Sequence, residues 1–226
     1  MGFNVCPLPT AILSNHSQYP DFSFLDLTEE MPRIIDQWEK LGVTFDAIYT
    51  GYMGSPRQIE IVCGFIERFR TADTLVVVDP VLGDNGHLYS KMTQEMVEEM
   101  RRLACRADVL TPNLTEAFAL LDRPYKTDCT TEELKDLIAE LSEMGPDTVI
   151  ITGVPVPGQS GLTSVIARSK SDLRTWKVTC PYLPAHYPGT GDSFTSVITG
   201  SLLQGDSLPI ALDRAAPVSY THLRAH

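Results

Sequence analysis

Gly189-Thr190-Gly191-Asp192 is followed by Ser193-Phe194 and an apolar, small-residue run at helical spacing. Glycines in such a turn let successive backbone N–H groups converge on an anion, and a helix behind them adds the positive end of its dipole. A carboxylate at the mouth of that cradle would be repelled by a resting anion, so Asp192 needs a reason to stand there. One reason is chemical. Asp192 accepts a proton from a hydroxyl group while the N–H groups of Gly189, Thr190 and Gly191 hold the phosphoryl group that the hydroxyl oxygen attacks. The other reason is structural, a helix N-cap in a glycine-rich turn.

The elements that must position this turn are short β-rich runs alternating with amphipathic helices. Strand character is expected within Val5–Ser14, at Ala47–Thr50, in the β-branched run Thr74–Asp79, at Asp108–Thr111 and at Thr148–Thr152. Leu162–Ala167 and Thr175–Val178 read as a hairpin. Helices are expected over Leu27–Leu41, from a Ser55 cap with Pro56 at the first position to Arg70, over Thr93–Ala107, over Asn113–Leu121, and from the Thr130/Glu133 capping box to Met144-Gly145. Repeated strand–helix units predict an α/β fold with a mostly parallel central sheet flanked by helices. Ligands of such sheets bind beyond the carboxyl ends of the strands. Polar residues collect there: Asp79 and Asp84 after one strand, Thr111 and Asn113 after the next, Thr152-Gly153 after the third.

Each of these has a bland alternative. Asn113 and Glu116 suit an N-cap and a first-turn acid. Asp79 and Asp84 flank the turn formers Pro80, Gly83 and Asn85-Gly86. Thr152 suits a strand end.

Composition narrows the partners. A chain of 226 residues with 43% apolar content fills one domain, and a formal charge of -11 argues against a nucleic-acid surface or an anionic membrane. The cysteines Cys6, Cys63, Cys105, Cys129 and Cys180 are odd in number and widely spaced, which suits free thiols in a reducing cytoplasm rather than zinc or disulfides. No apolar run reaches membrane length, and Met1–Cys6 reads as the middle of a folded unit rather than a leader.

Taken in order, SNHS at Ser14–Ser17, TGYMGS at Thr50–Ser55, VDPVLGD at Val78–Asp84, TPNLTE at Thr111–Glu116 and GTGD at Gly189–Asp192 resemble the ribokinase-like superfamily, and within it the pyridoxal kinases. The resemblance implies ATP-dependent phosphorylation of a hydroxymethyl group on a pyridine ring, with Asp192 as base. It implies a B6-vitamer pocket at Ser14, His16, Ser17 and Tyr52, where Ser17 stands at a common threonine position. It implies ATP contacts at Asp84, Thr111, Thr152 and Gly153. Mg²⁺ would be organised by Asp79, Asn113 and Glu116, with Asp84 favoured over Asp79 as a functional carboxylate and K⁺ as a further ion. Family enzymes are homodimers. The rival readings are a hydroxymethylpyrimidine kinase with a different ring pocket, and an inactive ligand-binding relic of the fold.

By the same resemblance, residues 1–216 are expected to form a kinase domain without its first strand and its C-terminal helices. Leu208–Ala216 is expected to be helical, and residues 217–226 to be a non-native tail. A chain lacking those pieces is expected to be poorly soluble or inactive on its own.

Overall fold

A computed structural model describes residues 2–15, 19, 21–172, 174–182 and 188–224, with side chains as far as 217. The chain opens with β1 (Ala11–Leu13) and β2 (Phe24–Asp26), followed by α1 (Glu30–Lys40), β3 (Ala47–Thr50), α2 (Pro56–Phe69) and β4 (Leu75–Val78). A small hairpin of β5 (Gly83–Asp84) and β6 (His87–Leu88) precedes α3 (Gln94–Ala104), β7 (Val109–Leu110), α4 (Leu114–Leu120) and α5 (Thr131–Glu143). Then come β8 (Thr148–Pro155), β9 (Leu162–Ser169), β10 (Thr175–Pro181), α6 (Thr190–Leu203) and α7 (Leu208–Arg224).

Six strands make one sheet in the order β10-β9-β8-β7-β4-β3. β3, β4, β7 and β8 run parallel, and β9 and β10 extend the sheet antiparallel. The α/β architecture with a mostly parallel central sheet expected from the sequence is therefore present. The sheet separates two apolar cores, and strand periodicity assigns each residue to one of them. Ile48, Val76, Val78, Val149 and Ile151 join the larger core with α1 to α5. Val77, Val109 and Ile150 join the other, with Phe194 and Ile198 of α6 and Ala211, Leu212 and Ala215 of α7. This two-sided burial is why β4 and β8 read as unbroken β-branched runs.

Local signals hold the helix starts. Ser55, Thr93, Asn113 and Thr130 each cap a helix through their side chains, and Asn113/Glu116 and Thr130/Glu133 both close full capping boxes.

Some boundaries differ from the sequence reading. Only Ala11–Leu13 of the Val5–Ser14 stretch is a strand, paired with β2, because the prolines at 7 and 9 deny the earlier residues a ladder. The first helix begins at Glu30 rather than Leu27. β8 continues past Thr152 to Pro155 across a register shift that Gly153 accommodates at φ 67°. The hairpin strands run on to Ser169 and Pro181. α7 continues beyond Ala216 through Pro217 to Arg224, its earlier turns anchored by the buried Ala211, Leu212, Ala215 and Ala216.

Candidate active site

The strand periodicity that sorts the cores also builds the site. Tyr49 and Val77 face the core of α6 and α7, and Asp79 and Thr111 continue the same parity beyond Val77 and Val109. Three polar side chains from adjacent parallel strands thus emerge at the carboxyl end of the sheet on the side of α6. That helix presents Asp192 and Thr195, three residues apart on one face, to meet them.

The contacts follow. The Tyr49 hydroxyl donates to Asp192 Oδ1 at 3.4 Å. The Thr195 hydroxyl lies 3.4 Å from Asp79 Oδ2 and 3.1 Å from the hydroxyl of Thr111. Asp79 is buried. Burial, and then the charge of Asp192, push its carboxyl up to about 7. Burial and the charges of Asp79 and Asp192 raise Tyr49, so its phenol stays a proton donor.

The amide cradle stands beside this cluster. Gly189 is the N-cap of α6 in the left-handed region (φ 86°, ψ 6°), and no side chain caps this helix, unlike α2, α3, α4 and α5. Among the described residues, no carbonyl of a preceding turn and no capping oxygen meets the N–H groups of Thr190, Gly191 and Asp192. The two oxygens of Asp192 face different ways. A Cβ placed on Gly51 would lie 3.6 Å from Oδ1, and one placed on Gly189 would lie 3.8 Å from Oδ2. The Cβ position of Gly191 lies 3.8 Å from Asp79 Oδ2, at ordinary contact distance.

Glu116 lies buried at the start of α4, where Oε1 accepts from Leu82 N–H at 3.0 Å and Oε2 from Asn113 N–H at 2.8 Å. Burial first, and then Asp79, raise it well above the ordinary carboxylate range. Asn113 uses its side chain locally, accepting from Glu116 N–H and donating to the Gly83 carbonyl at 2.7 Å. Tyr89 registers the convergence of acids: burial, then Glu116, Asp84, Asp79 and Asp192, push its phenol up to about 12.

The remaining expected residues divide. Asp79, rather than the favoured Asp84, sits against Asp192, while the Asp84 carboxylate turns to Asn85, accepting from its backbone and side-chain nitrogens at 2.8 and 3.0 Å. Thr152 is half-buried, its N–H bonded to the Pro112 carbonyl at 2.9 Å, and Gly153 is exposed. Tyr52 is half-buried against the larger core, and its carbonyl accepts from the Thr10 hydroxyl at 3.0 Å. Ser14 is exposed and bonded to Asn15 and Ser23. His16 and Ser17 lie outside the described residues. Tyr49 and Thr195 were not singled out from the sequence. Odd–even parity with Asp79 on the strands, and the three-residue spacing from Asp192, are the signals that point to them.

A divalent cation has a chemical reason to enter this cleft. Asp79 and Glu116 are buried carboxyls whose ionised forms have no positive partner among the described residues, and a cation supplies one. Among the described residues no group of three His, Cys, Asp or Glu side chains is close enough to enclose a metal. The donor set therefore fits a hard ion that takes most of its ligands from phosphate and water.

Comparison with known proteins gives the same picture. Residues 29–225 match the family model described as phosphomethylpyrimidine kinase. The pyridoxal kinase of Pseudomonas aeruginosa is 30% identical over 95% of this chain and 76% of its own length. A solved Bacteroides thetaiotaomicron structure, described as a phosphomethylpyrimidine kinase with pyridoxal, is 69% identical with a TM-score of 0.92, covering 95% of this chain and 75% of that one. The Leishmania donovani pyridoxal kinase, solved with ADP and pyridoxamine, is 26% identical with a TM-score of 0.86, over 99% of this chain and 77% of that one. The chain belongs to the phosphomethylpyrimidine kinase family, in the branch of ribokinase-like folds that contains the pyridoxal kinases.

Proposed function

We propose that this protein is a pyridoxal kinase, transferring the γ-phosphoryl group of ATP to the 5'-hydroxymethyl group of pyridoxal, pyridoxamine or pyridoxine. The observation that carries the reading is the placement of Asp192. Its carboxylate stands at the uncapped N-terminus of α6, one oxygen toward the Gly189 turn and the other toward Gly51 and Tyr49. Asp192 takes the proton of the acceptor alcohol. The freed oxygen bonds to the γ-phosphorus as the bond to the ADP oxygen breaks. The N–H groups of the Gly189–Gly191 turn stabilise charge on the transferring group, and they need no reorganisation to do so. Mg²⁺, when bound, neutralises the phosphates and brings them into an otherwise acidic cleft. Asp79 and Glu116 would hold it, and Asn113 keeps Glu116 in place through the capping box. Thr111, Thr152, Gly153 and Asp84 line the ATP side. Ser14, His16, Ser17 and Tyr52 line the vitamer side. K⁺ as a second ion, a homodimer and a cytoplasmic location complete the reading. They are supported by the family resemblance and, for location, by the absence of any helix among the described residues long and apolar enough to cross a membrane.

The family description favours a second reading, a kinase of hydroxymethylpyrimidine. The high identity to a structure with pyridoxal bound supports the pyridine ring instead. A side-by-side assay of the full-length protein with pyridoxal, pyridoxamine and hydroxymethylpyrimidine separates the two. The expected result is a higher kcat/KM for the B6 vitamers. A preference for the pyrimidine reverses the assignment, and calorimetric binding without turnover supports an inactive relic.

A further inference from the structure

The reading of Asp192 as the base leaves open which of its two oxygens acts and what holds the other. Tyr49 bears on both points. Its ring packs into the core shared with Phe194 and Ile198 of α6, so the strand and the helix that carry Tyr49 and Asp192 are joined by apolar contact just below the two polar tips. A phenol has few rotatable bonds, and a packed ring fixes where its hydroxyl lies. That hydroxyl reaches Asp192 Oδ1, the oxygen facing Gly51, and leaves Oδ2 on the side of the Gly189 turn.

We propose that Tyr49 is a positioning residue for phosphoryl transfer, holding Asp192 Oδ1 so that Oδ2 is the oxygen that faces the acceptor alcohol beside the amide cradle. The proposal rests on the assignment of Asp192 as base. The groups around the phenol oxygen favour a donated bond. Asp192 lies on α6, Asp79 follows β4, and Glu116 on α4 faces Asp79, so every ionisable neighbour in the cluster is an acid. The phenol also stands beside Asp79 and Thr195, but the bond whose geometry is met runs to Asp192 Oδ1, and Tyr49 is the side chain that donates to Asp192 among the described residues. An unheld carboxylate at an exposed helix start would rotate and spend part of its time with neither oxygen toward the cradle. Restricting that rotation raises the reactive population without altering substrate binding.

The test is a double-mutant cycle in the full-length protein with Tyr49→Phe, Asp192→Asn and both together, following pyridoxal 5'-phosphate formation. Phenylalanine keeps the ring and its packing, and thermal melting checks that it does. The expected result is a fall in kcat of roughly 3–10-fold for Y49F, the effect of one hydrogen bond of ordinary strength, in keeping with its 3.4 Å length, with KM for pyridoxal and for ATP within about 2-fold of the parent. In the D192N background the same substitution is expected to cost less than about 2-fold, because the group it acts through is gone. An unchanged kcat in Y49F, or the same loss in both backgrounds, overturns the proposal and makes Tyr49 a core aromatic only. Near-parental turnover in D192N alone overturns the underlying base assignment instead, so the two failures are distinguishable.

Discussion

Asp79 and Asp192 share one small polar cluster although one ends a buried strand and the other opens a helix far along the chain. Thr195, on the face of Asp192, lies within hydrogen-bond distance of Asp79. Burial first, and then the charge of Asp192, raise the energy of the ionised form of Asp79.

The first consequence concerns pH. Asp79 holds its proton to about 7, through burial first and Asp192 second. A carboxyl whose folded pKa exceeds its unfolded value of about 4 binds its proton more firmly in the folded chain. Its stabilising contribution is complete below about pH 4 and disappears as pH rises through 7. Asp79→Asn removes that dependence. Thermal melting of the ligand-free protein should show the variant gaining about 2–8 °C on its parent between pH 5 and pH 8. Parallel melting curves over that range would show Asp79 to be ordinarily acidic.

Metal removal should act in the same window. At pH 8 the ionised Asp79, beside Glu116, needs a counter-charge, whereas at pH 6 its own proton serves. Chelating Mg²⁺ from a mixture of protein, Mg²⁺ and ADP is expected to lower the melting temperature more at pH 8 than at pH 6. An equal drop at both values would place the ion away from these two carboxyls.

A third expectation falls on the β5–β6 turn. A Cβ on Gly83 would lie 2.8 Å from the Leu88 Cα, and the Gly83 carbonyl accepts from Asn113. Gly83→Ala must open the turn and disturb the capping box that holds Glu116. A loss of about 1–3 kcal/mol in urea unfolding is expected, together with weaker ADP binding by calorimetry. Unaltered ADP affinity would separate this turn from the nucleotide side.

Four helix starts were legible because each rests on a local rule: Ser55 before Pro56, Thr93, and the boxes at Asn113 and Thr130. The central strands were legible because burial on both faces leaves an unbroken apolar run at Leu75–Val78. What the chain hides locally is pairing between distant residues. β2 has no signal apart from its partner β1, and the choice between Asp79 and Asp84 depends on which one α6 approaches. Tyr49 sits in a correctly placed strand, yet only the position of α6 makes its hydroxyl polar machinery rather than core.

On the side proposed for the vitamer, Gln58 links the β1–β2 hairpin to the Tyr52 loop. Its buried amide donates to the Thr10 carbonyl and the Thr28 hydroxyl, both at 2.9 Å, and accepts from Gly54 N–H at 2.8 Å. Gln58→Leu strands these partners, at about 1–3 kcal/mol for a buried group left unsatisfied. The expected outcome is a rise in KM for pyridoxal of at least roughly 5-fold with KM for ATP little changed. Equal changes in both constants would point to a general loss of folding instead.

The most direct measurement is single-turnover formation of pyridoxal 5'-phosphate by the full-length protein and its Asp192→Asn variant, with ATP and Mg²⁺ saturating. If the carboxylate removes the alcohol proton, the variant binds both substrates and transfers the phosphoryl group roughly 10²–10⁴-fold more slowly. Transfer at near the parental rate would contradict the account.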